Sequence, residues 1–83
     1  GEEFLILIPN TNMTELSGFA QRLRKILETT PIKSNSTQFE FNVTVSIGIA
    51  ISTENNVENI ENVIYIADKN LYKAKHSGRN CVV

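Results

Sequence analysis

Half of the chain's eight Lys and Arg residues, namely Lys69, Lys73, Lys75 and Arg79, crowd into one stretch near the C-terminus, although the formal net charge is only −1. Lys75 and Arg79 stand apart from the others because they flank a helix end and Gly78. From there both can converge on one oxyanion, the Arg as a planar fork and the Lys as a point charge, a pairing that suits a triphosphate. The plainer reading of the same cluster is that cations favour a helix C-terminus and that lysines coat a solvent face. At the opposite end, Glu2 and Glu3 sit beside Gly1, just ahead of an apolar run. A β-turn there would project them from a sheet edge, where adjacent carboxylates can share Mg²⁺ with phosphates. Two ordinary solvated acids fit the spacing as well, because Mg²⁺ in a phosphoryl-transfer site draws on a further carboxylate. The only Asp, Asp68, is placed by its neighbours Lys69 and Tyr72 on a helix face, as a structural hydrogen-bond or ion-pair partner.

Other reactive residue types are sparse. His76 has no second His or Cys at metal-ligand spacing and reads as exposed and non-catalytic. Cys81 has no disulfide partner and reads as a small buried hydrophobe. Tyr65, Tyr72, Phe19, Phe39 and Phe41 read as core or half-core aromatics, and with a pI near 5.8 they make no nucleic-acid surface. Asn-x-Thr triplets begin at Asn12, Asn35 and Asn42, but without a secretory signal they carry no glycosylation reading.

The elements that must position these groups follow from periodicity. Residues 4–8 form a continuous apolar run stopped by Pro9 and Asn10, the pattern of a strand buried on both faces. Leu16, Phe19, Ala20, Leu23, Ile26 and Leu27 recur at helical spacing, with Asn12 and Glu15 in capping-box positions and Pro31 beyond, which predicts a helix over about residues 13–29. From 39 to 51 every odd residue is apolar, a period of two that predicts a long strand. The polar triplet Ser34, Asn35 and Ser36 reads as a turn that folds Ile32 and Lys33 back onto residues 39–41 as a hairpin.

Ser46, Gly48 and Ala50 flatten the even face of the long strand, so a helix, a second backbone or a ligand can approach it closely; a helix is the favoured occupant. Ile60, Val63, Ile64, Ala67, Leu71 and Ala74 supply its apolar stripe, and Gly78 stands where a C′ residue adopts positive φ. Residues 81–83 then close as a short strand. The order is that of an α+β sheet covered by two helices, resembling most of a ferredoxin-like unit.

Eighty-three residues with 41% hydrophobic and 20% charged content make one small globular unit and exclude collagen, coiled-coil and disordered-tail classes. No run of about 18 apolar residues or secretory signal is present, so the expected compartment is the cytoplasm, with no direct membrane contact in this segment. The chain opens at Gly1 and runs directly into an apolar stretch, which reads as a piece of a longer protein whose sheet lacks part of its edge or cover. The uncovered strand is expected to recruit another copy or a crystal neighbour, because unpaired edges and apolar faces invite pairing.

Three stretches taken together resemble a known family: residues 1–5 (Gly-Glu-Glu-Phe-Leu), residues 43–50 (Val-Thr-Val-Ser-Ile-Gly-Ile-Ala) and residues 67–80, which include Ala-Lys-His-Ser-Gly-Arg-Asn. In order and spacing they are similar to the C-terminal half of a GGDEF domain, the diguanylate cyclase family, with Gly1 as the second Gly of its signature. The resemblance implies one domain part spanning 1–83 and an incomplete nucleotide-cyclase-type sheet. It implies a reaction in which two GTP molecules, one on each of two facing domains, are joined into cyclic di-GMP with release of two pyrophosphates.

The resemblance also implies roles. Gly1 lets the backbone approach the nucleotide, Glu2 binds Mg²⁺ or Mn²⁺ and is the candidate base for the attacking 3′-hydroxyl, and Glu3 is a signature carboxylate. Lys75 and Arg79 match positions that contact the GTP phosphates. The expected partners are GTP and a second GGDEF domain. Further metal and guanine ligands belong to the half that precedes this segment, so the segment alone is expected to be inactive. The rival expectation is a GGDEF-like regulatory module that binds GTP or a partner domain without turnover.

Overall fold

A computed structural model describes residues 3–36, 39–52 and 60–83. Its elements run helix, hairpin, helix: α1 (Met13–Thr29), β1 (Ile32–Lys33), β2 (Glu40–Phe41) and α2 (Ile60–His76). β1 and β2 are antiparallel, with Ile32 opposite Phe41 and Lys33 opposite Glu40, so the hairpin forms in the expected place. The result is an α+β unit.

α1 begins where its cap chemistry dictates. The Asn12 side chain accepts from the Glu15 amide at 2.9 Å, satisfying one of the orphan donors of the first turn. The Glu15 carboxylate accepts from the Thr11 hydroxyl at 3.4 Å. At the far end the Thr30 amide still reaches the Ile26 carbonyl at 3.0 Å before Pro31 ends the pattern.

Among the described residues, the long strand expected over 39–51 pairs in two places. Its first part makes β2, and its second part runs parallel to the C-terminal residues. There Ile47 is bridged to Val82, the Ile47 amide donates to Cys81 O and the Ile49 amide to Val83 O, each at 2.9 Å, and the Val83 amide returns to Ile47 O at 2.9 Å. A strand exists only where a partner supplies the ladder, and between these segments no described backbone does so.

Above this parallel pair lies α2, as the flattened face predicts. A Cβ added to Gly48 would collide with the Ala67 carbonyl oxygen and the Leu71 amide and lie within 2.8 Å of the Asn70 carbonyl carbon. Only a glycine permits this backbone approach. The Asn70 side-chain amide stitches the contact by donating to the Ile49 carbonyl at 2.7 Å.

The expectation that residues 4–8 are buried on both faces is corrected. They carry no hydrogen-bonded ladder among the described residues, and Phe4 is 85% exposed. A doubly apolar strand needs cover above, below and at its edges, and the described residues leave part of that requirement unmet. The same shortfall corrects the aromatic expectation: Tyr65, Tyr72, Phe19, Phe39 and Phe41 are all exposed. Among the described residues only Ala20 and Ala74 are fully buried, and the larger apolar side chains instead line an open groove of about 690 Å³ between residues 4–8, the helices and the second strand segment.

Candidate functional site

The groove is lined by residues that run from Glu3 to Arg79 in the sequence. Glu3, Asp68, Lys75 and Arg79 all line it, together with the apolar run. Glu3 and Lys75, which lie 72 positions apart, meet there: Lys75 Nζ donates to Glu3 Oε2 at 3.1 Å. The C-terminal turn of α2 thus lies beside Glu3. Glu2 and Gly1 lie outside the described residues. The Glu3 side chain is 57% exposed and that of Lys75 33%, so water screens the pair and its contribution to stability is small.

Arg79 reaches the groove through an unusual turn. α2 ends with the Ser77 and Arg79 amides both donating to the Ala74 carbonyl, at 3.2 and 3.1 Å, and Gly78 takes φ 107° as expected of a C′ residue. Arg79 and Asn80 continue in the left-handed region, at φ 63° and 50°. The Arg79 side chain is exposed and makes no hydrogen bond or ion pair with any described residue.

Behind the turn sits a polar cluster that residue spacing did not reveal. Asn80 donates its backbone amide to Ser46 Oγ at 3.2 Å and its side-chain amide to Glu28 Oε2 at 3.1 Å, and accepts from Arg24 Nη1 at 3.1 Å. Arg24 and Glu28 pair with each other at 2.6 Å one turn apart on α1. The Asn42 side-chain amide donates to the Glu28 carbonyl at 2.8 Å. The hydrogen bond from Asn80, reinforced by the Arg24 guanidinium, holds the Glu28 carboxyl below its ordinary value near 4.5 against partial desolvation. The available signal was Asn80 itself, since an Asn following Gly-Arg at a helix end is a residue that tolerates left-handed backbone. The sequence pattern marks Ser46 only as a small residue on the flattened strand face.

Three smaller expectations resolve here. Asp68 was expected to be a structural hydrogen-bond or ion-pair partner; instead it is exposed on the groove wall and bonds to no described residue. The cause is its place on α2, where the strand approaches at Gly48 and Asn70 rather than at its carboxylate. His76 is exposed as expected, stacked on Tyr72 with ring centroids 3.9 Å apart. Cys81 is half-buried, its thiol directed at the Ala74 carbonyl at 3.5 Å.

Among the described residues no group of three or more His, Cys, Asp or Glu side chains could hold a metal ion. Glu3 supplies an oxygen donor suited to Mg²⁺, but it is paired with Lys75, so the described carboxylates do not complete a magnesium site. No helix among the described residues is long and apolar enough to cross a membrane.

The α+β unit thus places one acid, Glu3, and two cations, Lys75 and Arg79, along one open groove. Comparison with known proteins names the family. The family model described as "Diguanylate cyclase, GGDEF domain" matches residues 1–81, and the chain belongs to the GGDEF family. It is 37% identical over 82 residues to diguanylate cyclase A of Treponema denticola, covering 99% of this chain and 21% of that protein. It is 35% identical over 83 residues to the response regulator PleD of Caulobacter vibrioides, covering 100% and 18%. A Bacillus subtilis protein, YhcK, is 39% identical over 82 residues, covering 99% and 22%. The chain thus spans about a fifth of the length of these relatives.

Proposed function

We propose that this segment is the C-terminal part of a diguanylate cyclase domain, in which two GTP molecules on facing copies are condensed into cyclic di-GMP. The observation that supports the reading is the 3.1 Å contact between Glu3 and Lys75 at a groove that Arg79 also lines, because one carboxylate of the signature then lies near both cations assigned to the phosphates. In the proposed reaction each 3′-hydroxyl oxygen attacks the α-phosphorus of the other GTP. Each P–O bond to pyrophosphate breaks as the new one forms, and two pyrophosphates leave. In-line phosphoryl transfer is mainly positioning and charge neutralisation, and that is the work proposed for this segment.

Lys75 and Arg79 are assigned to the phosphates: Lys75 as a compact charge that exchanges Glu3 for nucleotide oxygens, Arg79 as a two-pronged donor. Glu2 is assigned as base toward the 3′-hydroxyl and as this segment's ligand to Mg²⁺ or Mn²⁺, and Gly1 as the residue that admits the nucleotide close to the backbone. Glu3 keeps the role of a signature carboxylate. The remaining ligands are assigned to sequence outside 1–83, within a completed ferredoxin-like, nucleotide-cyclase-type sheet, and the isolated segment is expected to make no product. The proposed compartment is the cytoplasm, where GTP is held.

The test is incubation of the complete parent protein with GTP and Mg²⁺, reading cyclic di-GMP by chromatography. Product is expected, and Arg79→Ala is expected to weaken GTP binding about tenfold or more, the loss of a hydrogen bond to a charged group. GTP binding without product from a dimeric parent protein would replace this reading with the regulatory one.

A further inference from the structure

We propose that Asn80 is a positioning residue for Arg79: clamped by Arg24, Glu28 and Ser46, it holds the left-handed turn that presents the Arg79 guanidinium to the groove. The proposal rests on the nucleotide reading above and deepens it by naming what aims one of its cations.

Three successive residues at positive φ are unfavourable unless each has a reason to be there. Gly78 has no Cβ to clash, and Asn is among the few residues that enter this region readily. Arg79, at φ 63°, has neither excuse. Its conformation must therefore be imposed by its neighbours. On the N-terminal side the Arg79 amide is tied to the Ala74 carbonyl at 3.1 Å, which closes the helix. On the C-terminal side every polar group of the Asn80 side chain is bonded, together with its backbone amide.

Those bonds reach far along the chain. Arg24 and Glu28 are 56 and 52 positions away on α1, and Ser46 is 34 away on the second strand segment. Asn80 is thus anchored at once to α1 and to the segment that runs parallel to the C-terminal residues. The amide is the right group for the place: its oxygen accepts a hydrogen bond from Arg24 while its nitrogen donates one to Glu28, and a carboxylate could not do both. The Arg24–Glu28 pair, at 2.6 Å, presets the two side chains at the matching spacing. With the backbone held on both sides, the Arg79 side chain remains exposed and bonded to no described residue, in the groove that Glu3 and Lys75 share. A guanidinium whose backbone is fixed but whose donors are unspent is preorganised for an anion.

The test uses the full-length parent protein and measures binding of a non-hydrolysable GTP analogue for Arg79→Ala, Asn80→Ala and the double variant. Asn80→Ala is expected to weaken binding about tenfold in the parent background and less than about twofold when Arg79 is already Ala, the signature of one residue acting through the other. An equal loss in both backgrounds overturns the positioning role, as does unchanged binding by folded Asn80→Ala. Should Arg79→Ala itself leave binding unchanged, the nucleotide reading falls and the positioning role falls with it. Where Asn80→Ala fails to fold, the exchange pair replaces it. Asn80→Asp places a carboxylate against Glu28 and is expected to weaken binding, and adding Glu28→Gln, which restores a donor opposite the acceptor, is expected to recover it. A paired variant no better than Asn80→Asp counts against the clamp.

Discussion

The apolar run at residues 4–8 and the polar turn at residues 78–80 face the same groove and are held in opposite ways. The run is rich in core-type residues yet exposed and unpaired among the described residues, while the turn contains glycine, arginine and asparagine and is tied to α1, to Ser46 and to the Ala74 carbonyl. Hydrophobic stabilisation is collective and grows with the area that neighbours remove from water, so five apolar residues with cover on one side gain little. Hydrogen bonds are individually directed, so a single well-placed Asn can fix a turn without a large core behind it. The groove therefore has one wall set by specific bonds and one wall set by nothing as strong.

The sharpest way to break this contrast is to attack the ordered wall where backbone meets backbone. Gly48→Ala puts a methyl group into the Ala67 carbonyl and the Leu71 amide, neither of which can swing aside as a side chain would. We expect a loss of about 3 kcal/mol, the upper end of ordinary overpacking, read as a lowered midpoint in chemical unfolding. A variant as stable as the parent would mean that α2 does not rest on that strand.

A pair of substitutions compares the apolar run with the helix end whose Ala74 carbonyl holds the turn. Ala74 is fully buried and Phe4 is 85% exposed. Ala74→Leu is expected to cost about 2 kcal/mol through overpacking, whereas Phe4→Ala in the 83-residue chain is expected to change stability by less than about 0.5 kcal/mol. The large aromatic should matter less than the small methyl. A costly Phe4→Ala would show that the run is covered in solution, as pairing with another copy would do.

The clamp behind Arg79 carries a pH signature of defined sign. Glu28 titrates below its ordinary value near 4.5 because the carboxylate is hydrogen-bonded by Asn80 and Arg24. The unfolded chain binds that proton more readily, so the Glu28 contribution is fully present above about pH 4.5 and is lost as pH falls through the lowered folded value. The expected measurement is a stability difference between the parent chain and Glu28→Gln that shrinks on acidification across that window. A difference that is flat or grows as pH falls would contradict the hydrogen-bonded carboxylate.

Where residue patterns spoke clearly, one chain segment decided the outcome. α1 over Met13–Thr29 follows from its apolar spacing and the Asn12 cap, the hairpin follows from the polar turn after Ile32 and Lys33, and the close α2 approach follows from Gly48. Patterns failed where the outcome depended on a second segment. Residues 4–8 look buried because alternation says which faces are apolar, not whether anything covers them. The strand over 39–51 was legible as extended backbone but not as two separate ladders, since pairing belongs to the partner. The site divides in the same way: Glu3, Lys75 and Arg79 were recognisable as charges of the right type, while the Arg24–Glu28–Asn80–Ser46 cluster joins residues from three distant stretches and has no linear spacing to find.

The smallest effect concerns the contact that joins the two walls. Lys75 and Glu3 meet at 3.1 Å with both side chains substantially in water, so Coulomb attraction is weakened by solvent and by salt, and two flexible chains must be ordered to make it. A double-mutant cycle with Lys75→Met and Glu3→Gln is expected to give a coupling of about 0.5 kcal/mol at low ionic strength, fading as salt is raised. That weakness suits a cation meant to leave its partner: a phosphate carrying more charge than one carboxylate can take Lys75 at little cost, whereas a strong buried pair would compete with it. A coupling above about 2 kcal/mol, insensitive to salt, would instead make Lys75 and Glu3 a structural latch and leave Arg79 as the sole free cation of the pair proposed for the phosphates.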